Sequence, residues 1–258
     1  MISRIRAIFL RYFYEFPGLD MMSEIFFWPI IDILLWGLTI VWIQRQENDP
    51  QLPRLILTGL ILFHVLLRGA CDLSCSIVRE FWDRNLLNLF ATPLRLIEWV
   101  LGCLTLSLVK TLFSITFGFS MAYIFYGVNV FAPGPIFIFY AASLLLSGWI
   151  LGLLTSSLIL LFGHKVGMLA WMVPSFFSPL CAVFYPVNSL PTWVQSISWS
   201  LPMTYIFEAM RQQLTNGTFS LPDLLHNLLL NALYFCIAAA IFKTAFERSR
   251  ARGLNRLE

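Results

Sequence analysis

The chain has 258 residues, 59% of them hydrophobic, with 24 Phe, 9 Trp and a mean hydropathy of +0.77. A soluble domain of this length has too little interior to hide so much apolar surface. The net charge of +3 does not indicate a nucleic-acid binder, because the basic residues flank apolar runs, and the scattered Cys71, Cys75, Cys103, Cys181 and Cys236 imply no disulfide framework.

The apolar runs are continuous rather than alternating, which predicts an all-α integral membrane protein. A helix satisfies its own backbone groups in lipid and crosses roughly 30 Å of hydrocarbon with about 20 residues. Residues 1–20 mix Arg4, Arg6 and Arg11 with Ile5, Ile8, Phe9, Leu10, Tyr12 and Phe13 and lack a signal-peptide cleavage pattern. They read as an amphipathic helix in the interface plane, with a short span as the alternative.

Six transmembrane helices are predicted, at 24–43, 54–76, 99–126, 135–162, 166 to about 185, and 224–242, followed by a basic tail at 243–258. With both termini cytoplasmic, that side receives 12 of the 17 Lys and Arg residues. Asp32, Arg68, Asp72 and Lys110 fall inside spans, where an unpaired charge costs at least about 2.5 kcal/mol. Arg68 and Asp72 share a helix face four residues apart. Matching depths suggest an Asp32–Arg68 bridge, and Lys110 has no evident partner. These groups read either as a polar lining or lock of a transport path or as a structural ion pair with one snorkelling lysine.

Between the last two spans, residues 186–211 hold an apolar run, 192–203, too short and too broken by Pro202 to cross. A re-entrant hairpin on the outer face is expected there, or a plain loop anchored by Trp193 and Trp199. On the inner side, the charged island Arg79–Glu98 places Arg79, Glu80, Asp83 and Arg84 among Phe81, Trp82, Leu86, Leu87, Leu89 and Phe90. It predicts one short amphipathic helix, stopped at Thr92-Pro93, that rests on lipid or docks into a partner's groove.

No nucleotide site is evident. Gly163-His164-Lys165 lacks both the glycine-rich loop and the following Ser or Thr, and His64, His164 and His226 are too isolated for a metal or hydrolytic site. The chain is therefore not expected to be an enzyme or to bind a cofactor itself.

Two stretches carry a family resemblance. Arg79-Glu80 with Arg84-Asn-Leu-Leu-Asn-Leu-Phe-Ala-Thr-Pro93 and Glu98 is one; Phe177-Ser-Pro-Leu180 with Tyr185-Pro-Val-Asn-Ser-Leu-Pro191, Pro202, Tyr205, Glu208 and Arg211 is the other. Together they resemble the membrane subunits of type-2 ABC exporters, departing from the usual pattern at Asp83-Arg84-Asn85, where a Gly-Thr turn is common, and at Ser178. The resemblance implies a single permease domain over 1–258 that pairs with a second copy and with two separate ATPase subunits, which would supply ATP and Mg. It implies a bacterial plasma (inner) membrane location and contacts with lipids, not nucleic acid. Residues 79–92 would be the coupling segment, with Glu80, Trp82, Arg84, Leu87 and Phe90 meeting the ATPase. Pro202, Tyr205, Glu208 and Arg211 would border the external gate. A lipid-linked glycan and an amphipathic small molecule both remain open as cargo. So does an ATP-independent secondary transporter or channel.

Overall fold

A computed structural model describes residues 1–14, 22–45 and 51–253. Those residues are all-α: α1 (Ile2–Tyr14), α2 (Trp28–Gln44) entered through a π-helical turn at Ser23–Phe27, α3 (Leu52–Trp82), α4 (Leu86–Ala91), α5 (Leu96–Tyr126), α6 (Ile136–Phe162), α7 (Leu169–Leu180), α8 (Thr192–Ser200), α9 (Pro202–Asn216) and α10 (Leu221–Ala251). Among the described residues, five helices are long and apolar enough to cross a membrane: Ile25–Gln44, Leu52–Trp82, Leu96–Tyr126, Ile136–Phe162 and Leu221–Ala251.

α3 is the axis of the bundle, packed by α6 on one side and by α2, α5 and α7 around it. Its seam with α6 is made of small residues. A Cβ added at Gly148 would stand 2.5 Å from the Leu66 carbonyl oxygen and 3.0 Å from the Gly69 Cα. Backbone meets backbone there, the close approach that small residues permit between helices in lipid. α10 closes the other face of α6 through a buried amide chain. Ser147 Oγ donates to Asn231 Oδ1 at 2.8 Å, Asn231 Nδ2 to Asn227 Oδ1 at 3.2 Å, and Asn227 Nδ2 to the Pro202 carbonyl at 2.7 Å.

The core divides into two clusters along the bundle. One gathers Leu57, Ile61, Val130, Phe137, Ile206 and Phe207 at the far end; the other gathers Ile8, Tyr12, Leu86, Trp99, Leu153 and Phe246 at the end bearing the charged island.

Two expected elements differ from the structure. The stretch 166–185 is not one continuous span: α7 has 12 residues, about 18 Å, and the chain then leaves helical geometry near Ala182, whose φ is +52°. Pro174 and Pro179 lie inside α7, and each removes a backbone donor. The stretch nevertheless runs a long way beside α3. The Ala170 carbonyl accepts from Cys71 Sγ and Ser74 Oγ at 3.4 Å, while the Val183 carbonyl lies against Gly59, about 18–22 Å further along α3.

The island, too, is not one helix. α3 continues through it to Trp82, the turn is made by Arg84 at φ +50°, and only six residues form α4 before Thr92 turns extended ahead of Pro93. The expected basic tail is mostly the last turns of α10, while 15–20 and 254–258 lie outside the described residues.

Candidate functional site

The charges that sequence reading scattered over spans and island stand largely on one helix. α3 carries His64, Arg68, Asp72, Ser76 and Glu80 at intervals of four, all of them buried. At about 1.5 Å per residue the row is about 24 Å long. Each step of four also turns about 40° around the axis, so successive groups face different neighbours.

At the upper end, His64 Nε2 lies 3.3 Å from Asp32 Oδ2 of α2. Asp32 thus has a partner one turn from Arg68, the residue expected to bridge it, and His64 is not isolated. In the middle, Asp72 Oδ1 is shared by Lys110 Nζ of α5 at 3.2 Å and Arg68 Nη2 at 3.8 Å. Lys110, read from sequence as partnerless, is therefore half of a buried ion pair. Lys110→Met and Asp72→Asn are expected to be strongly non-additive, with a coupling of at least about 1 kcal/mol in a double-mutant cycle of thermal melting in detergent. Additive effects would show that the pair does not act as a unit. Below it, Ser76 Oγ donates to the Asp72 carbonyl at 2.7 Å and lies beside Cys103.

At the lower end Glu80 has no exposed surface. Arg11 Nη2 lies 2.9 Å from its Oε1 and 3.1 Å from its Oε2, Asn85 Nδ2 donates to Oε2 at 2.8 Å, and the Tyr12 hydroxyl donates to Oε1. Burial, reinforced by nearby Cys103 and by the carboxylate itself, pushes the Tyr12 phenol well above its ordinary value, so it remains a donor. Trp99 Nε1 in turn donates to the Tyr12 oxygen at 3.2 Å. α1 lies against α5 with Ile8 over Gly102, and Arg4 Nη1 reaches both the Pro93 carbonyl at 2.6 Å and Glu98 Oε2 at 3.3 Å. The N-terminal helix therefore clamps both ends of the island.

Glu80, expected as a docking charge, has its carboxylate pointing inward and bound to α1. Phe90 also turns inward, with its ring 4.6 Å from Phe246. Trp82 and Leu87 are 63% and 46% exposed, and Arg84 is exposed between them. Trp82 also stacks on Trp171 of α7, with centroids 6.4 Å apart.

A cavity of about 440 Å³ opens beside the upper row, lined by Trp28, Asp32, His64, Arg68, Trp171 and Ser175. Here sequence-predicted polar residues, Asp32 and Arg68, meet open space. At the far end, Arg211 Nη1 pairs with Glu208 Oε1 at 2.9 Å, Arg211 Nη2 donates to the Ala182 carbonyl at 2.9 Å, and Val187 N–H donates to Glu208 Oε1 at 2.6 Å. The Tyr205 hydroxyl donates to the Trp199 carbonyl at 3.0 Å and its ring stacks on His226 at 5.6 Å. Pro202 opens α9 as well as interrupting the run before it. Those four residues fasten the α7–α8 turns to α9 and α10.

A short exposed segment fixed on a buried base at one end, and a fastened hairpin at the other, match the two stretches that carried the family resemblance. The model of the ABC-2 type transporter family covers residues 20–215. The chain belongs to this family. None of the curated proteins matches it. As an ABC-2 type membrane permease it has its matched region running from the segment before α2 to the end of α9. α1 and the whole of α10 lie outside that region, although α1 supplies two of the groups on Glu80.

Arg11, Tyr12, Asn85 and Trp99 were not singled out from sequence as parts of the site. The signal that could have found the row was the four-residue recurrence of polar groups from His64 to Glu80 inside an otherwise apolar run.

Proposed function

We propose that this permease is the membrane subunit of an ATP-driven exporter, in which two copies enclose the path and two separate ATPase subunits dock at the island end. The observation that carries the reading is the exposed surface of Trp82, Arg84 and Leu87, held on a buried carboxylate that is itself tied to α1. An apolar chain gains nothing in lipid from so rigidly held a charged and aromatic projection; a soluble partner with a complementary groove gives it a use.

Both termini lie in the cytoplasm, an orientation favoured by the concentration of Lys and Arg at the island end, and the membrane is the bacterial plasma membrane. The crossing between α6 and α8 is composite, made of α7 and the turns after it, which brings the passes to six. Residues 186–211 form the external re-entrant cover, with Pro202, Tyr205, Glu208 and Arg211 holding it shut against α10. The cavity at Asp32 and His64 belongs to the path, covered on its open side by the second copy. Mg-ATP binds only in the partner subunits. Trp28 and Trp171 on the cavity wall suit stacking on either a sugar of a lipid-linked glycan or an amphipathic small molecule.

The test is co-purification with a candidate ATPase subunit. A Trp82→Ala/Arg84→Ala/Leu87→Ala variant is expected to keep its own melting temperature but to lose complex formation and transport-linked ATP hydrolysis by at least tenfold, the effect of about 1.4 kcal/mol. Undiminished complex formation would refute the docking face. Transport by purified vesicles without nucleotide would favour the ATP-independent class instead.

A further inference from the structure

α5 and α10 diverge at the island end. α10 packs on α6 and α9, α5 on α3 and α1, and the gap between them is an open groove of about 800 Å³. Leu153 of α6 backs it, Leu101, Leu104, Phe235 and Phe242 form its walls, and Phe90 of α4 closes its lower end. At the mouth stand Arg95, Lys243 and Arg250 with one acid, Glu247. Lys243 Nζ and Glu247 Oε1 are 3.9 Å apart and largely exposed, whereas neither Arg95 nor Arg250 has an ion-pair partner among the described residues.

The dimensions are those of one leaflet. From Arg95 to Leu104 along α5 is about 13 Å, and from Arg250 to Phe235 along α10 about 22 Å. Half the hydrocarbon thickness, about 15 Å, falls between them. An apolar slot that begins at headgroup level and carries cations only at its mouth is complementary to an acyl chain bearing an anion. A soluble anion would leave the slot empty, and an apolar helix of a second copy would leave the two arginines unmatched.

We propose that this groove binds one anionic phospholipid, with an acyl chain between α5 and α10 and the phosphate at Arg95 and Arg250. Basic pockets between membrane helices attract such headgroups, each cation near the surface contributing about a fivefold preference. The site does not depend on the ATPase reading: it concerns a different face, and its test uses the permease alone.

The test is native mass spectrometry of the purified full chain with equimolar phosphatidylglycerol and phosphatidylcholine. Phosphatidylglycerol is expected to be retained at least about tenfold over phosphatidylcholine. In Arg95→Gln/Arg250→Gln the preference should fall to near unity, and Arg95→Lys/Arg250→Lys should restore most of it. Arg248→Gln, on the same last turns but outside the groove, should leave it unchanged. Equal retention of the two lipids would overturn the proposal, as would a preference that survives the double glutamine variant. Displacement of phosphatidylglycerol by inorganic phosphate alone would show that the slot plays no part and would also overturn it. So would disulfides between copies through Ile97→Cys in a Cys236→Ser background, which would make the groove a seam between copies.

Discussion

Gly148→Leu is expected to abolish the folded permease. The residue sits where α6 meets α3 backbone to backbone, with Leu66 O, the Gly69 Cα and the Ala70 nitrogen around the position a Cβ would occupy. All three are main-chain atoms on the most enclosed helix of the bundle, so no side chain can swing aside to make room. Forcing a leucine in must part the two helices along the seam that also brings Gly69 against the Leu145 carbonyl and Gly152 against the Ala70 carbonyl. The cost exceeds about 3 kcal/mol, the upper part of the range for overpacked cores. Fluorescence-detected size exclusion after detergent extraction should show most of the monodisperse peak lost, with Gly148→Ala intermediate. Leu158→Ala, on an exposed part of the same helix, should be indistinguishable from the parent. A sharp, undiminished peak for Gly148→Leu would mean that the α3–α6 seam is not packed as described.

Glu80→Ala carries the second largest effect. Removing this carboxylate takes an acceptor from the Arg11 guanidinium, the Tyr12 hydroxyl and the Asn85 amide at once. Breaking a buried pair by deleting one partner costs about 3–5 kcal/mol; since Arg11 keeps some access to solvent, about 2–3 kcal/mol is expected here. The loss should be local. Hydrogen exchange over Ile2–Tyr14 should accelerate by about a hundredfold, while the centre of α3 keeps its protection. A carboxylate that served only to touch a partner would leave exchange in the isolated permease unchanged.

How far the sequence carried this picture depended on whether a feature was local. The span at 135–162 agrees with α6 within a residue, because a long apolar window bounded by Pro135 and Gly163 leaves little choice. The position of α9 could be read from Pro202 for the same reason. Amphipathic spacing around the island was real, but spacing alone does not say what covers a face. The cover for Glu80 comes from α1, some 68 residues earlier in the chain. Lys110 and Asp72 are 38 residues apart, so their meeting required knowing which faces of α3 and α5 touch. Depth arithmetic brought Asp32 to the level of Arg68, whereas its contact with His64 one turn away called for knowing which faces of α2 and α3 meet. Hydropathy favoured a long fifth span, whereas the two prolines inside it and the left-handed Ala182 decide otherwise.

The spacing of buried groups on α3 has a mechanical consequence. The helix is unbroken for 31 residues, its only proline lying in the first turn, so it moves as a rod. Its titratable and polar groups recur every four residues against fixed partners on α1, α2 and α5. An axial slip of about 6 Å coupled to a turn of about 40°, one step of the row, would set polar group against polar group again. Any smaller slip leaves buried charges facing gaps. The rod therefore has detents: its low-energy positions relative to its neighbours are separate and countable, and a push delivered at Trp82 either fails to move it or carries it a whole notch.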